Sequence, residues 1–456
     1  MGVKLRMTGL QHAEIKKHVI APDGNEAGSL LFCEPVFRDG ETILLLKQIE
    51  HIPYDACLKR TPVFLSWPTE QFLMPQYEHI ENKQLSVIML HSHPTGLDSF
   101  SATDDENDLK ILPRLMACIE GKQPHGSAIM LPDGSIKGRI INKDNHFDPI
   151  NMISICGDDL HFLGDFFSDA PSPSYVSKTA QVFGSRTTNI LQKLKIGIVG
   201  CSGTGSPASE LLLRYHAGEL VLIDFDEIEE SNLNRMMASR TSDAKNKKLK
   251  VERTAEWIKE TGLPTQVTAI NDRIPSEATT KALSECDIIF GCVDNVAARH
   301  AINKIACAYL IPYFDLGVAI KGNVSKSGSI RHAVARCHYL QPDKPCLLDR
   351  GAYSSERLAE EGYRRDDPEF YKNLKELGYT HERNDIQAVM TLTMQAAILA
   401  VDDMMARIHG YRIEPNSQFD EQEHSFTHTS YEHKAHTGDN IALRHFIATG
   451  DKHMRM

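Results

Sequence analysis

Apolar residues follow two different rhythms along this chain. Up to about residue 157, short apolar runs such as Gly28–Cys33, Thr42–Leu46 and Leu85–Leu90 alternate with helical stretches. Runs of that length predict strands buried in a mixed α/β domain. From Leu194 the order becomes strand (Ile196–Val199), glycine loop, helix (Ser206–Tyr215) and strand (Leu220–Ile223), a β-α-β unit of about thirty residues. Further runs at Gln266–Ile270, Ile288–Gly291 and Tyr313–Leu316 alternate with helices and predict an open, mostly parallel sheet. Between the two regions, Asp169-Ala170-Pro171-Ser172-Pro173-Ser174 reads as linker, because its prolines prevent regular pairing. Ile386–Leu399 predicts a long apolar helix, and from Pro415 the chain turns polar and rich in histidine. The expected division is therefore a first domain at 1–157, a linker at 158–180, a second domain at 181–412 and a polar tail at 413–456.

Composition narrows the class without naming it. At 456 residues the chain has room for two or three cores. Hydrophobic content of 41% and charged content of 24% exclude a disordered or fibrous protein. A net charge of −11 with no long Lys/Arg run argues against a general nucleic-acid or membrane-surface binder and favours protein partners. No stretch approaches the roughly 20 apolar residues of a membrane span, and the N-terminal residues lack a signal-peptide pattern. The ten cysteines form no C-x-x-C pair, so they read as reduced thiols of a cytoplasmic protein.

The sharpest local feature is Leu90-His91-Ser92-His93-Pro94, followed by Ser101 and Asp104. Two histidines at i and i+2 at a strand end, with a carboxylate soon after, can give one zinc three ligands and leave a fourth position for water. Such a site also needs a carboxylate to take the water's proton. Glu26 stands far upstream at the start of an apolar run, with Glu34 and Glu50 as competitors. The bland alternative is surface histidines in a turn, with Ser101 and Asp104 as helix caps. This spacing resembles the JAMM/MPN+ signature over roughly the first 150 residues. The resemblance implies zinc on His91, His93 and Asp104, Glu26 as general acid/base, and Ser101 as an oxyanion stabiliser.

The second feature is Gly200-Cys201-Ser202-Gly203-Thr204-Gly205, between a buried strand and a helix. Glycines there let backbone approach a phosphate at the helix N-terminus, and Asp224, about twenty residues on, suits a ribose. Dinucleotide-binding dehydrogenases share both signals. The residues downstream separate the two possibilities: Asp226, then Asn232 and Arg235, then Lys250 in Lys250-Val251-Glu252, then Asp294 at the end of a strand. Cations gathered at a phosphate with a magnesium-holding Asp suit adenylation rather than hydride transfer. This order resembles the ThiF/MoeB and ubiquitin-activating superfamily from about Gln181 to Gly410. The resemblance implies a Rossmann-like open sheet that binds ATP through Gly200, Gly203, Gly205 and Asp224. It further implies phosphate contacts from Asn232, Arg235 and Lys250, and magnesium on Asp294. Ser202 departs from the family's loop, Lys248 is a reserve for Lys250, and Arg186 is the nearest counterpart of the arginine that family members take from a partner subunit.

Many such enzymes then pass the acyl group to a cysteine. The usual crossover, here Gly378–Asp385, contains none. Cys346 stands where relatives begin a zinc-binding Cys-x-x-Cys, but Asp349 occupies the second position. Cys346 is thus a candidate nucleophile, beside the alternatives that the reaction stops at adenylation or uses a hydroxyl such as Ser354 or Thr380. His424, His428, His433 and His436 in the tail are a further candidate metal group, though polar tails collect histidines without function.

Both resemblances point to one substrate class, the C-terminus of ubiquitin-like proteins. The leading expectation is an enzyme of a bacterial ubiquitin-like conjugation pathway. Its zinc isopeptidase half would process a carrier ending in glycine, and its second half would adenylate that end. A conjugating enzyme would be the next acceptor, and the chain would form a homodimer. Sulfur-carrier activation, adenylation of a small peptide or modified nucleotide, and an inactive carrier-binding scaffold stay open as alternatives.

Overall fold

The computed structural model describes residues 2–119, 121–164, 173–322, 329–376 and 388–453. The chain forms two compact units. The first comprises the N-terminal 168 residues together with 308–310 and the segment from Ile447, and the second holds the remainder.

The first unit contains strands β1 (Gly2–Thr8), β2 (Gly28–Arg38), β3 (Glu41–His51), β4 (Lys59–Thr61), β5 (Phe64–Ser66), β6 (Ser86–Ser92), β7 (Gly126–Met130), β8 (Ile136–Ile141), β9 (Phe147–Pro149), β10 (Met152–Cys156) and β11 (Leu160–Leu163). Nine of them form one sheet in the order β11-β10-β1-β3-β2-β6-β7-β8-β9, and β4 with β5 makes a separate hairpin. The unbroken apolar runs have a simple cause: this sheet is buried on both faces. Leu31, Ile88 and Leu90 join one core, with Ile15 and Val19 of helix Gly9–Val19. Their chain neighbours Leu30, Phe32, Val87 and Met89 join the other, with Leu112 and Leu115 of helix Ala102–Cys118.

The second unit contains β12 (Lys195–Val199), β13 (Glu219–Ile223), β14 (Gln266–Ile270), β15 (Ile288–Gly291), β16 (Tyr313–Gly322), β17 (Ile330–Leu340), β18 (Glu421–Ser425) and β19 (Ser430–Lys434), in the order β14-β13-β12-β15-β16-β17-β18-β19. The first five are parallel and the last three antiparallel. The strand order reverses between β12 and β15, where an open α/β sheet leaves a crevice at its carboxyl edge.

Three boundaries differ from expectation. The region read as a linker at 158–180 includes β11, paired with β10, and helix Ser177–Leu191 begins in its last residues; residues 165–172 lie outside the described set. The apolar helix runs Met390–His409 and stops where Gly410 takes a left-handed conformation (φ 71°), a C-cap signal that apolar periodicity does not register. The polar tail is not a tail. Its residues supply β18 and β19, and beyond them the segment from Ile447 packs on β2, with Asp451 on Arg38 (2.7 Å) and Lys452 on the buried Glu34 (2.7 Å). An edge hairpin with charged residues on both faces gives no apolar alternation to read. No described helix is long and apolar enough to cross a membrane.

Candidate active sites

In the first unit, strand pairing assembles what the sequence separates. Antiparallel β2 and β6 place Gly28 opposite His91. Just before that pair, Ala27 N–H donates to Ser92 Oγ (3.1 Å) and Ser92 N–H to Ala27 O (3.0 Å). Glu26 therefore arrives beside the histidines. It is held by its own N–H on Thr61 O (2.9 Å) and by Arg60 Nε on its carbonyl (2.9 Å). Among the three upstream glutamates, Glu26 lines the cleft of about 230 Å³ that also contains His91, His93, Ser101 and Asp104. Glu34, by contrast, is engaged by Lys452 and Lys47.

The cap reading of Ser101 and Asp104 is compatible with the ligand reading. They cap helix Ala102–Cys118 reciprocally: Asp104 N–H donates to Ser101 Oγ (3.2 Å) and Ser101 N–H to Asp104 Oδ2 (2.6 Å). The cap turns the Asp104 carboxylate toward the histidines, at 3.2 Å from His91 Nε2 and 3.5 Å from His93 Nε2. The two Nε2 atoms lie 3.1 Å apart. Bonds of about 2.0–2.1 Å in a tetrahedron put neighbouring ligand atoms about 3.3 Å apart, so these three residues fit zinc. His93 Nδ1 is 2.8 Å from Leu97 O; a proton there leaves Nε2 as the lone-pair donor.

Charges follow the geometry. Burial alone would raise the Asp104 carboxyl, but hydrogen bonds from His91 and His93 outweigh it and hold the group well below the usual carboxylate range. Burial lowers His93, but its bonds to Asp104 and Leu97 O together with the Asp104 and Glu26 charges outweigh it, and the net shift is upward. Glu26 is pushed up by burial against the opposing pull of His91 and His93, the direction a proton-transferring carboxyl needs. Sequence reading missed the support beneath the cap. Arg139 lies between the rings of Phe100 and Phe147 (3.8 Å from each centroid) and bonds Asp108 (2.6 Å), which also accepts from Ser127. An isolated Arg on a strand gives no sequence signal for such a role.

In the second unit, three loops meet at the switch point. Gly200 N–H donates to Ile223 O (2.7 Å) and Cys292 N–H to Val199 O (2.7 Å), joining the ends of β12, β13 and β15. Gly200 has φ +94°, and a Cβ on it would lie 2.5 Å from Cys292 O. A Cβ on Gly205 would lie 1.7 Å from Gly200 O. The loop thus exists in this form only with glycine at both places, which keeps a bare backbone cradle before helix Gly205–Arg214. That cradle fits a nucleotide phosphate. A Cβ on Gly203 would meet the Arg235 side chain at 3.1 Å, so Arg235 lies along the cradle.

Asp224 follows β13 directly. Its carboxylate accepts from Cys201 N–H (2.7 Å) and Asp226 N–H (2.9 Å), and burial raises it despite these bonds and the Lys250 charge. Lys250 Nζ donates to Asp226 (2.8 Å), two residues from Asp224, whereas Lys248 pairs with Glu256. Asn232 is buried, its Oδ1 accepting from Glu229 N–H (3.0 Å). Asp294 is exposed on the loop after β15. Arg186 is exposed on helix Ser177–Leu191, two residues past a kink at Gly184 (φ 77°).

The candidate acyl acceptor does not hold up. Cys346 is 0% exposed, and burial pushes its thiol up to about 11, whereas a nucleophilic thiol is accessible and depressed. Its partner position explains the packing: Asp349 accepts from the N–H groups of Cys346 (3.0 Å), Ile441 (3.1 Å) and Ala442 (3.1 Å). Ser354 Oγ caps helix Ser355–Asp366. Gly378–Asp385, with Thr380, lies outside the described residues.

With both geometries in view, sequence comparison decides the family. The ThiF family model matches residues 175–444, more than half of the chain. The chain belongs to the ThiF family. A second model, prokaryotic homologs of the JAB domain, matches residues 11–133, so a JAB unit precedes the ThiF unit. The ThiF match ends at 444, inside the region expected to be tail.

Three curated relatives are an adenylyltransferase and sulfurtransferase uba4 of Aspergillus niger, the sulfur carrier protein ThiS adenylyltransferase of Escherichia coli and the molybdopterin-synthase adenylyltransferase of Salmonella typhimurium. The first is 36% identical over 116 residues (25% of this chain, 24% of the relative). The second is 33% identical over 115 residues (25% and 45%), and the third 29% over 131 residues (29% and 51%). The chain thus spans about a quarter to a half of the length of these relatives. Among solved structures, E. coli MccB with ATP is 19% identical, with a TM-score of 0.45 over 59% of this chain and 74% of that one. The microcin C7 biosynthetic enzyme MccB with N-formylated MccA is also 19% identical, with a TM-score of 0.46 over 62% and 76%.

Proposed function

We propose that the ThiF unit adenylates the C-terminal glycine of a ubiquitin-like protein at the expense of ATP, and that the JAB unit hydrolyses bonds made to that same terminus. The observation that carries this reading is the presence in one chain of the His91–His93–Asp104 cluster beside Glu26 and of the Gly200–Gly205 cradle flanked by Arg235 and Lys250.

In the JAB unit, His91, His93 and Asp104 would hold a zinc ion, whose Lewis acidity would act on a water and the scissile carbonyl. Glu26, whose proton affinity burial raises, takes the proton of the attacking water and delivers it to the leaving amine. Ser101 Oγ accepts from Asp104 N–H, so its own hydrogen is left to donate toward the developing oxyanion. In the ThiF unit, ATP with magnesium provides the activated α-phosphoryl group. The cradle receives its phosphates, Asp224 the ribose, and Arg235 and Lys250 the charge that builds up during attack by the carrier's carboxylate. Asn232 and Asp294 complete the set, Asp294 as the carboxylate that would hold magnesium.

With Cys346 sealed, the adenylate passes to an acceptor outside the chain, such as a conjugating enzyme. A homodimer in which the exposed Arg186 reaches the partner's phosphates belongs to the same proposal, as does a bacterial conjugation pathway. The relatives' names favour a second reading, activation of a sulfur carrier. Intact-mass analysis after incubation with ATP and carrier tests the external acceptor: a carrier adenylate with no covalent enzyme adduct fits, and a reducible adduct mapped to Cys346 contradicts it.

A further inference from the structure

The second unit holds another convergence of ligand atoms, far in sequence from the JAB motif. On β17 and β18, His338 and Glu421 are direct cross-strand partners, so their side chains share one face of the sheet. Glu421 is in turn opposite Lys434 of β19, and His436 follows two residues later. His436 is fixed by its own N–H on Asp420 Oδ2 (2.8 Å), and its Nε2 lies 2.9 Å from Glu421 Oε2.

His338 supplies the independent observation. It is 3% exposed, and its Nδ1 has no hydrogen-bond partner, although a buried imidazole nitrogen normally finds one. That nitrogen lies 3.9 Å from Glu421 Oε2, too far for a hydrogen bond and within the span of two metal–ligand bonds of about 2.0–2.1 Å. One ligand atom from each of the three residues lies within 4.8 Å of the others.

Three arginines surround the pocket, and each has a partner there. Arg336 bonds Glu423 and faces the other oxygen of Glu421, Oε1, at 3.4 Å. Arg299 is paired with Asp315 (2.7 Å), and Arg350 donates to Pro345 O and Asp420 O (2.8 Å each).

We propose that His338, Glu421 and His436 bind a divalent zinc-class cation that pins the β18–β19 hairpin to the sheet. Two imidazole nitrogens and one carboxylate oxygen suit such an ion, with water in the fourth position. The hairpin has reason to need it: Glu421-Gln422-Glu423-His424-Ser425 and Ser430-Tyr431-Glu432-His433-Lys434 bring almost no apolar surface of their own, and a metal can supply the cohesion that a small core cannot.

The test uses the full chain carrying His91→Ala, which disables the JAB cluster, grown with zinc and gel-filtered. Elemental analysis is expected to find about one zinc per chain, falling at least tenfold when Glu421→Gln or His436→Gln is added. Cobalt(II) loaded into the His91→Ala chain is expected to show the visible absorption of a low-symmetry nitrogen/oxygen site, which needs no further mutation and so stands even if a double variant misfolds. Deuterium exchange across 421–436 is expected to quicken on chelation. A His91→Ala chain that holds less than a tenth of an equivalent and gives no cobalt spectrum overturns the proposal, as does metal content unchanged by Glu421→Gln.

Discussion

Ser101 and Asp104 cap one helix reciprocally, and the same bond that closes the cap aims the Asp104 carboxylate at two imidazoles. Stability and chemistry are therefore joined at one turn. Ser101→Ala is expected to cost about 1 kcal/mol of unfolding free energy through the lost cap. Peptidase turnover should fall about 10²–10³-fold through the lost hydroxyl donor. Ser101→Asn, an equally good cap, restores the stability; a persistent loss in urea melts of Ser101→Asn would locate the defect elsewhere.

Zinc should stabilise the JAB unit by binding only its folded form. At a free concentration of about 100 times the dissociation constant the gain is about 2.7 kcal/mol. Thermal melts with added zinc and after chelation measure it. Asp104→Ala should abolish the response, since it removes a ligand and the cap partner together; an undiminished response in that variant rules out the cluster as the binding site.

Arg139 offers a test at one remove from the ligands. Its guanidinium is held by Asp108, Phe100 and Phe147 under the helix that starts at Ala102. Arg139→Ala leaves the buried Asp108 without its cation and is expected to destabilise the unit by about 3 kcal/mol. Zinc affinity should fall with it, although no ligand has changed. Denaturant midpoints together with zinc titration check both parts.

The glycines of the ThiF loop should differ in a graded way. Gly205→Ala would force a Cβ to within 1.7 Å of Gly200 O, and Gly200→Ala adds a φ of +94° to a 2.5 Å clash, so both should lose ATP binding. Gly203→Ala meets side chains rather than backbone, Arg235 and Thr393 at 3.1 Å each, with no positive φ, and should weaken binding less. Calorimetric titration with ATP ranks the three; equal effects would mean that the loop does not form the cradle.

What was legible in the sequence was local. His91-x-His93 and Ser101-x-x-Asp104 each fall within a strand end or a helix cap, and Gly200–Gly205 within a single loop, so spacing alone brought out the pattern. Glu26 was ambiguous because β2–β6 pairing, not spacing, selects it over Glu34 and Glu50. Cys346 stays open in the sequence because a thiol's burial is a tertiary property. The β18–β19 hairpin was missed because strands that are polar on both faces carry no periodic signal, and His338 and His436 come together only through it.

The central claim, that the ThiF unit activates a carrier's C-terminus, is most directly tested by ATP–pyrophosphate exchange with a small ubiquitin-like protein that ends in Gly-Gly. Exchange should require that protein, vanish when its last glycine is removed, and fall at least 100-fold in Asp294→Ala. Exchange that is indifferent to the carrier, or as fast in Asp294→Ala as in the parent, would contradict the account.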